Sequence, residues 1–227
     1  MTPLHLLVAD DHPLFRAAVC HALRDIAADG TPIEVASFAA LADAVATQPR
    51  IDLVLLDLNM PGAQGFSSLV FLRGERPELP VIVISSNDHP RTVRRAQEFG
   101  ASGFVSKSAP VEVMRQAVAR VMEGGEWFEG AKAGRSADDA RLAAQLAQLT
   151  PQQFRVLMCL ADGLLNKQIA HDLHLAENTV KVHVTAVLRK LECHSRTQAA
   201  VKVKALLPEA AATDLSPPSV SDSDELS

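Results

Sequence analysis

The chain has 227 residues, of which 48% are hydrophobic and 22% charged, and a formal net charge of −5 at pH 7. These values are ordinary for globular proteins and exclude collagen-like chains, coiled-coil rods and wholly disordered chains. No stretch approaches the roughly 20 uninterrupted apolar residues of a membrane span, and no secretory signal is recognisable, so we expect neither membrane insertion nor secretion. The three cysteines form no CxxC pair, which argues against a disulfide framework or a zinc site and favours a reducing cytoplasm.

Charge is distributed unevenly along the chain. Residues 1–124 carry 11 basic and 14 acidic side chains, residues 149–207 carry 8 and 4, and residues 208–227 carry 0 and 5. Local charge, rather than the total, governs the attraction of a polyanion. Residues 149–207 are therefore the segment to consider for nucleic-acid binding.

Residues 1–124 alternate short apolar runs with amphipathic stretches. Strands are predicted over residues 4–9, 33–36, 51–56, 81–85 and 103–106. Helices are predicted over residues 13–28, 39–47, 64–74, 90–99 and 110–123. Five alternations of strand and helix indicate a doubly wound α/β fold, with a five-stranded parallel sheet covered by helices on both faces.

The remaining residues divide into three parts. Glycines followed by an alanine-rich run predict a linker over residues 125–148 that ends in a helical segment. A small all-α domain follows over residues 149–207, with helices predicted at 151–162, 167–173, 177–191 and 195–206. Residues 208–227 are rich in Ser, Pro, Asp and Glu without an aromatic residue, which predicts a disordered acidic tail.

Charged and polar side chains follow four of the five predicted strands. Asp10 and Asp11 follow the first strand, Asp57 the third, Ser85 the fourth and Lys107 the fifth. Carboxyl ends of parallel strands form the ligand-binding rim of such sheets. Three carboxylates there suit a hard cation such as Mg²⁺, and a hydroxyl and an ammonium beside them suit a phosphoryl group, with Asp57 as the nucleophile. Single acidic residues at strand ends are often helix caps, but the agreement of four strand ends favours a functional site.

Four motifs on this rim resemble the flavodoxin-like receiver domain of bacterial two-component response regulators: residues 8–12 (VADDH), 55–62 (LLDLNMPG), 84–86 (ISS) and 104–107 (FVSK). The resemblance implies transfer of a phosphoryl group from a sensor histidine kinase onto Asp57. It also implies a magnesium site made by Asp10, Asp11, Asp57 and the backbone carbonyl of Asn59.

The same resemblance assigns roles to three further residues. Lys107 would pair with the phosphoryl oxygens, the Ser85 hydroxyl would turn towards the phosphoryl group, and Phe104 would follow it as the switch aromatic. Phe104 stands where tyrosine is commoner in that family. His12 and His89 lie near the rim, and we interpret them as solvated or capping residues rather than metal ligands.

The basic segment begins with a capping box in which Thr150 is the N-cap, Pro151 the first helical residue and Gln153 the third. Asn166 is predicted to cap the next helix. In the longest helix an apolar stripe faces the core and comprises Val180, Val184, Val187, Leu188 and Leu191. The opposite face presents Lys181, Val182, Thr185 and Arg189. A short helix followed by a longer cationic one indicates a helix-turn-helix, although charge alone would also fit a helical bundle with a solvated basic face.

Motifs at residues 149–151 (LTP), 166–170 (NKQIA), 178–183 (NTVKVH), 189–191 (RKL) and 195–199 (SRTQA) resemble the output domain of NarL/FixJ/LuxR-type regulators. The resemblance implies base contacts by Lys181, Val182 and Thr185. It implies phosphate contacts by Lys167, Thr179 and His183, and pairing of two subunits through the last helix. The chain is thus identified as a response regulator, not an enzyme, in which phosphorylation controls homodimerisation and promoter DNA binding.

Two other functions are compatible with parts of the sequence. A phosphatase or phosphotransferase with an aspartyl phosphate normally needs a second aspartate two residues past the nucleophile, where this chain has Asn59. A receiver that acts through protein contacts without DNA stays open. The acidic segment 208–227 is interpreted as an inert extension in preference to a competitor of DNA for the basic face.

Overall fold

The computed structural model describes residues 3–63, 65–128, 137–204 and 206. Its N-terminal part contains a sheet in which every paired strand is parallel and the order is β2-β1-β3-β4-β5-β6. The strands are β1 (Leu6–Ala9), β2 (Ile33–Val35), β3 (Leu53–Asp57), β4 (Val81–Ser85), β5 (Gly103–Ser106) and β6 (Trp127–Phe128). The central strands β3 and β4 are buried along their whole length, as expected for a sheet covered on both faces.

Helices cover both faces of this sheet. They are α1 (Pro13–Ala22), α2 (Phe38–Thr47), α3 (Ser67–Glu75), α4 (Pro90–Glu98) and α5 (Val111–Met122). One apolar layer joins α1 and α5 to the sheet through residues such as Val19, Leu23 and Val118. The opposite layer joins α2, α3 and α4 through residues such as Leu41 and Leu69. The predicted doubly wound α/β class is confirmed.

The sheet has one strand more than the five predicted. Trp127 and Phe128 extend it along β5, with Gly103 opposite Trp127 and Phe104 opposite Phe128. A strand of two residues is too short for a periodic pattern to reveal, and it lies in the segment that was interpreted as linker.

Helix α1 is shorter than the predicted 13–28. The chain leaves the helix after Ala22 because Leu4 takes the following segment as a partner: the Leu4 N–H donates to Ile26 O at 2.9 Å and the Ala28 N–H donates to Leu4 O at 2.6 Å. A short 3₁₀ turn, Ala28–Gly30, then leads into β2. The other helices of the sheet domain agree with prediction to within about three residues, the usual uncertainty of helix ends.

The C-terminal part is entirely helical in the described residues. Its helices are α6 (Ala137–Ala147), α7 (Pro151–Ala161), α8 (Asn166–Asp172), α9 (Glu177–Lys190) and α10 (Arg196–Lys204). The capping box at Thr150 is confirmed, because the Gln153 N–H donates to Thr150 Oγ1 at 3.3 Å and the Thr150 N–H to Gln153 Oε1 at 3.1 Å. The prediction that Asn166 is an N-cap is wrong: Asn166 is already helical, and Gln168 Oε1 accepts the N–H of Leu165, the residue before the helix.

The two parts of the chain share one apolar layer. Helices α6 and α7 pack on α3, and α6 also packs on α4. Phe71 of α3 lies 6.4 Å from Phe154 of α7 between ring centroids, and the Phe66 N–H donates to Leu206 O at 3.0 Å. The helical part therefore lies against the α3–α4 side of the sheet domain.

Two expectations from the sequence fall outside the described residues. One is the tail at 208–227, and the other is the glycine-containing middle of the linker at 129–136. Among the helices that are described, none combines the length and the apolar composition needed to cross a bilayer.

Candidate phosphoryl-acceptor site and DNA-binding face

The charged residues predicted at the strand ends meet at one edge of the sheet. Asp10 comes directly after β1, Asp57 is the last residue of β3, Ser85 is the last of β4 and Lys107 comes directly after β5. Because all these strands are parallel, their carboxyl ends open on the same side. Asp10 and Asp57 are both only 2% exposed, so burial of two carboxylates requires a compensating cation.

Lys107 supplies that cation. Its Nζ lies 2.7 Å from Asp10 Oδ2 and 2.8 Å from Asp57 Oδ2, so one ammonium joins both buried carboxylates. The ammonium also lies 5.0 Å from the centroid of the Phe15 ring on α1, where the negative ring face stabilises a cation. The lysine is thereby held beside the Asp57 carboxylate, at a position where it can meet the oxygens of a group bound to Asp57.

Asp11 and His12 complete an acidic cluster with Asp10 and Asp57. One ligand atom from each of these four residues lies within 4.8 Å of the others. The His12 N–H donates to Asp10 Oδ1 at 2.8 Å, and the His12 Nδ1 lies 2.7 Å from Asp11 Oδ1. His12 is thus solvated, as expected, but it also contacts two carboxylates of the cluster, which the sequence did not indicate.

The electrostatics of the site are those of a buried anion beside a cation. Burial raises the pKa of Asp57, and the neighbouring charge of Asp10 adds to that rise, while Lys107 opposes it without cancelling it. Burial would lower the pKa of Lys107, but its hydrogen bonds to Asp10 and Asp57 outweigh burial and raise it. The lysine therefore stays protonated, and Asp57 gains from any further positive charge at the site.

The residues present fit a hard divalent cation. Within the described part of the chain, the buried Oδ1 of Asp57 makes no hydrogen bond, although its Oδ2 is bonded to Lys107. Carboxylate oxygens are the ligands that Mg²⁺ prefers, and it typically takes one or two of them while keeping several waters. Asn59 is exposed and lies two residues past Asp57 at the mouth of the site.

Ser85 and Phe104 occupy neighbouring strands beside the site. Ser85 is fully buried, and its Oγ accepts the N–H of Asn87 at 3.1 Å instead of bonding within the carboxylate cluster. Phe104 is 5% exposed and belongs to the apolar layer shared with the helical part. The aromatic ring thus already points into the protein in this structure.

The helical part presents a separate exposed surface on α8 and α9. The predicted apolar stripe is confirmed, because Val180, Val187 and Leu191 are fully buried. Of the six residues predicted to contact DNA, His183 is half-buried. The other five are exposed on the opposite side: Lys167, Thr179, Lys181, Val182 and Thr185. Val182 is 67% exposed, a high value for an apolar residue on a folded helix. Nothing in the sheet domain covers this face within the described residues.

Four of the eight cations of this segment are engaged with the protein itself. Lys190 and Lys202 donate to backbone carbonyls, Arg196 donates to Leu164 O, and the Arg155 guanidinium lies over the Phe71 ring. Of the other four, Lys167, Lys181 and Arg189 are exposed on α8 and α9, with Lys181 paired to Glu177 at 3.2 Å, and Lys204 is exposed at the end of α10. The exposed positive charge is therefore concentrated where the resemblance places DNA.

Comparison with known families agrees with both halves of this architecture. A family model described as "Response regulator receiver domain" matches residues 6–119, and one described as "Bacterial regulatory proteins, luxR family" matches residues 147–203. The chain belongs to the LuxR-type response regulators. Members of this family are regulators of transcription rather than enzymes, so the chain is a two-component response regulator that controls transcription.

Curated relatives are similar over nearly their full length. The chain is 38% identical over 203 residues to the glycerol metabolism activator of Pseudomonas putida, covering 86% of this chain and 92% of that protein. It is 35% identical over 206 residues to the nitrate/nitrite response regulator protein NarL of Escherichia coli K12, covering 88% and 95%.

Solved structures show the same fold. The RcsB response regulator of Salmonella typhimurium aligns with a TM-score of 0.52 at 20% identity, covering 90% of this chain and 100% of that one. A two-component response regulator RcsB–DNA complex aligns with a TM-score of 0.53 at 20% identity, covering 91% and 100%.

Sequence analysis missed two residues near the functional surfaces. Phe15 lies on α1, and only the folded sheet domain brings its ring to Lys107. Arg95 of α4 is 5% exposed and pairs with Asp139 of α6. A helix with the composition of α4 is typical of a solvated surface, so no signal in the chain indicated that its arginine would be buried. The three cysteines are free, and burial raises the pKa of Cys20 to about 11, which disfavours a reactive thiolate.

Proposed function

We propose that Asp57 accepts a phosphoryl group from a phosphohistidine of a sensor kinase. A carboxylate oxygen of Asp57 attacks phosphorus, the P–N bond breaks as the P–O bond forms, and the kinase imidazole leaves and takes a proton. The observation that supports this most directly is the joint contact of Lys107 with Asp57 and Asp10, because it places an ammonium beside the acceptor oxygen. Charge developing on the transferred oxygens would meet that ammonium.

Mg²⁺ is proposed to bind through Asp10, Asp11, Asp57 and the backbone carbonyl of Asn59. When bound, it would neutralise the carboxylates and the phosphoryl oxygens. The buried and unbonded Oδ1 of Asp57 supports this assignment, because an ionised oxygen without a partner is costly to bury. Lys107 and His12 would hold Asp10 and Asp11 in position from the other side of the cluster.

Ser85 and Phe104 are proposed as the switch. The Ser85 hydroxyl would exchange the Asn87 N–H for a phosphoryl oxygen, which would move the segment between β4 and α4. Phe104 is already buried, so in this chain the response would consist of repacking in the layer shared with α3 and α4 rather than of a ring moving in from solvent. The shift between the two packing states would be transmitted to the helical part through α3 and α4, because α6 and α7 pack on these helices.

The output is proposed to be binding of a dimer to promoter DNA. Lys181, Val182 and Thr185 would read base edges in the major groove, and the phosphate contacts would come from Lys167, Thr179 and His183. Two copies would pair through α10, where Val201 is 62% exposed. The domain organisation would follow the predicted boundaries: a receiver at 1–124, a linker at 125–148 and a DNA-binding domain at 149–207.

A titration of promoter fragments with and without acetyl phosphate and Mg²⁺ tests this function. Wild-type protein is compared with Asp57→Ala, with Lys181→Ala and with Arg24→Ala, which removes an exposed cation from the receiver as a control. We expect phosphorylation to raise specific affinity in wild type and Arg24→Ala, no rise in Asp57→Ala, and weak binding throughout in Lys181→Ala. Specific binding that ignores Asp57 would contradict the proposed switch, and intact regulation in Lys181→Ala would favour output through protein contacts.

A further inference from the structure

The exposed side of α9 carries a shallow groove of about 400 Å³ that no part of the described chain fills. Five residues line it, namely Lys181, Val182, Thr185, Ala186 and Arg189, and Lys181 is also paired to Glu177 at 3.2 Å. The two cations are eight residues apart on one helix, which corresponds to about 12 Å along the axis. The groove thus combines two separated positive charges with apolar side chains.

Segment 208–227 of the same chain has the complementary composition. It contains five carboxylates and no cation, and three of the carboxylates, Asp222, Asp224 and Glu225, lie within four residues. Residues 222 to 225 would span about 10 Å when extended, close to the separation of the two cations of the groove. Leu226 follows directly and offers an apolar side chain for the exposed Val182.

The position of the segment allows the contact. The described chain reaches Leu206, whose carbonyl is fixed by the Phe66 N–H. A helical domain of about 60 residues is roughly 27 Å across, whereas the 16 residues from 206 to 222 reach about 50 Å when extended. A tether of this length gives an effective local concentration in the millimolar range, so a contact too weak to hold two separate molecules would still be populated.

In place of the inert extension expected from the sequence, we infer that the acidic segment 208–227 binds the Lys181–Arg189 groove of α9 and competes with DNA for it. This inference rests on the proposed DNA-binding function and adds a regulation of that same surface. The segment would act as an internal polyanion: it would lower DNA affinity most at low salt, and screening would remove the effect as ionic strength rises. The segment would compete more effectively with nonspecific DNA, which binds weakly, than with a promoter, which adds base contacts.

The test uses two full-length variants with substitutions in segment 208–227, of which only the first changes the charge. In the first, the carboxylates of the segment are neutralised by E209Q, D214N, D222N, D224N and E225Q. In the control, S216A, S219A, S221A and S223A keep every charge and the same length. DNA affinity is measured between 50 and 400 mM salt by fluorescence anisotropy, and amide NMR shifts of Lys181, Val182 and Thr185 are recorded without DNA.

We expect the neutralised variant to bind DNA about tenfold more tightly than wild type at 50 mM salt, a gap of about 1.4 kcal/mol. The gap should close by 400 mM, and the control variant should match wild type. The α9 amides should differ between wild type and the neutralised variant without DNA, and 400 mM salt should abolish the difference. Equal affinities at 50 mM, or shifts located away from α8 and α9, would overturn the inference. Salt-sensitive α9 shifts in a protein that binds no DNA would instead overturn the proposed DNA-binding function and leave the contact of the segment with α9 standing.

Discussion

Arg95 Nε lies 3.1 Å from Asp139 Oδ1, and this ion pair joins α4 of the receiver to α6 with side-chain exposures of only 6% and 13%. The guanidinium also lies 5.0 Å from the centroid of the Phe66 ring and 5.6 Å from that of Phe99, and these two rings stack at 5.3 Å. Helix α4 begins five residues after Ser85. The pair is therefore a direct mechanical connection between the segment next to the proposed switch and the helix that leads to the output domain.

Removing one partner of this pair should loosen the docking of α6. We expect Asp139→Asn and Arg95→Met each to lower the free energy of unfolding by roughly 3 kcal/mol, because a buried charge loses its ion pair. Amide hydrogen exchange should rise in α6 and at Phe66, and this measures loosening separately from global unfolding.

The control for this prediction is the exposed pair of Arg141 and Glu192, whose side chains are 68% and 60% exposed. Arg141→Met should cost less than about 1 kcal/mol, because exposed ion pairs contribute little. The double variant R95M/D139L should recover most of the lost stability, since an apolar pair of similar size needs no charge compensation. Unchanged exchange in α6 in both single variants would contradict a connecting role for the pair.

Neutralising the acceptor should stabilise the protein in the absence of metal. Burial raises the pKa of Asp57, so the ionised carboxylate is less stable in the folded protein than in the unfolded chain at neutral pH. We expect Asp57→Asn to raise the free energy of unfolding at pH 7 by roughly 1 kcal/mol, a size typical of single substitutions. The advantage should shrink on acidification to about pH 4, where wild type also becomes neutral at this position. The measurement is urea unfolding at several pH values.

In the presence of Mg²⁺, wild type should become more stable than Asp57→Asn. Mg²⁺ that binds only the folded wild-type site stabilises it by mass action, whereas Asp57→Asn lacks one of the carboxylates. Asp43→Asn, an exposed change on α2, serves as the control and should follow wild type in both conditions. If Mg²⁺ raised the urea midpoint of Asp57→Asn as much as that of wild type, this would argue against Asp57 as a ligand.

A second carboxylate, that of Asp52, should contribute to stability with the opposite dependence on pH. Partial burial of Asp52 favours a higher pKa, but hydrogen bonds from the His5 backbone, Arg50 and the His5 ring outweigh it and lower the pKa. Asp52 therefore stabilises the fold above about pH 4, and this contribution is lost as the pH falls through its lowered value. Asp52→Asn should cost roughly 1 kcal/mol at pH 6.5 and less at pH 3, as measured by urea unfolding. A cost that is equal at both pH values would mean that packing, not charge, is responsible.

The sequence predicted those features that depend on local patterns. Alternating apolar runs gave the parallel sheet, and the parallel direction of its strands brought Asp10, Asp57 and Lys107 to one edge, as their positions after the strands required. Periodicity likewise placed Val180 and Val187 in the core and Lys181 outside. These inferences succeed because strand ends and helix faces are fixed by residue spacing alone.

The features that the sequence did not reveal depend on contacts between distant elements. Strand β6 exists because the edge of β5 accepts Trp127 and Phe128, and two residues carry no period. Helix α1 ends early because Leu4 bonds the segment that follows it. Arg95 is buried because α6 covers α4 with an acidic partner. In each case the deciding partner lies at least 22 residues away in the chain.

The DNA face should separate into residues that set affinity and residues that set specificity. Lys167 is exposed at the start of α8 and is proposed to contact a phosphate, so Lys167→Ala should weaken binding to all sequences about equally and reduce the salt slope, the change in log affinity with log salt, by roughly 1. Val182 is 67% exposed and carries no charge, so Val182→Ala should leave the salt slope unchanged and lower the ratio of specific to nonspecific affinity. Anisotropy titrations of a promoter and a scrambled duplex at four salt concentrations measure both quantities. A changed salt slope in Val182→Ala, or a sequence-dependent loss in Lys167→Ala, would mean that α8 and α9 meet the DNA in another orientation.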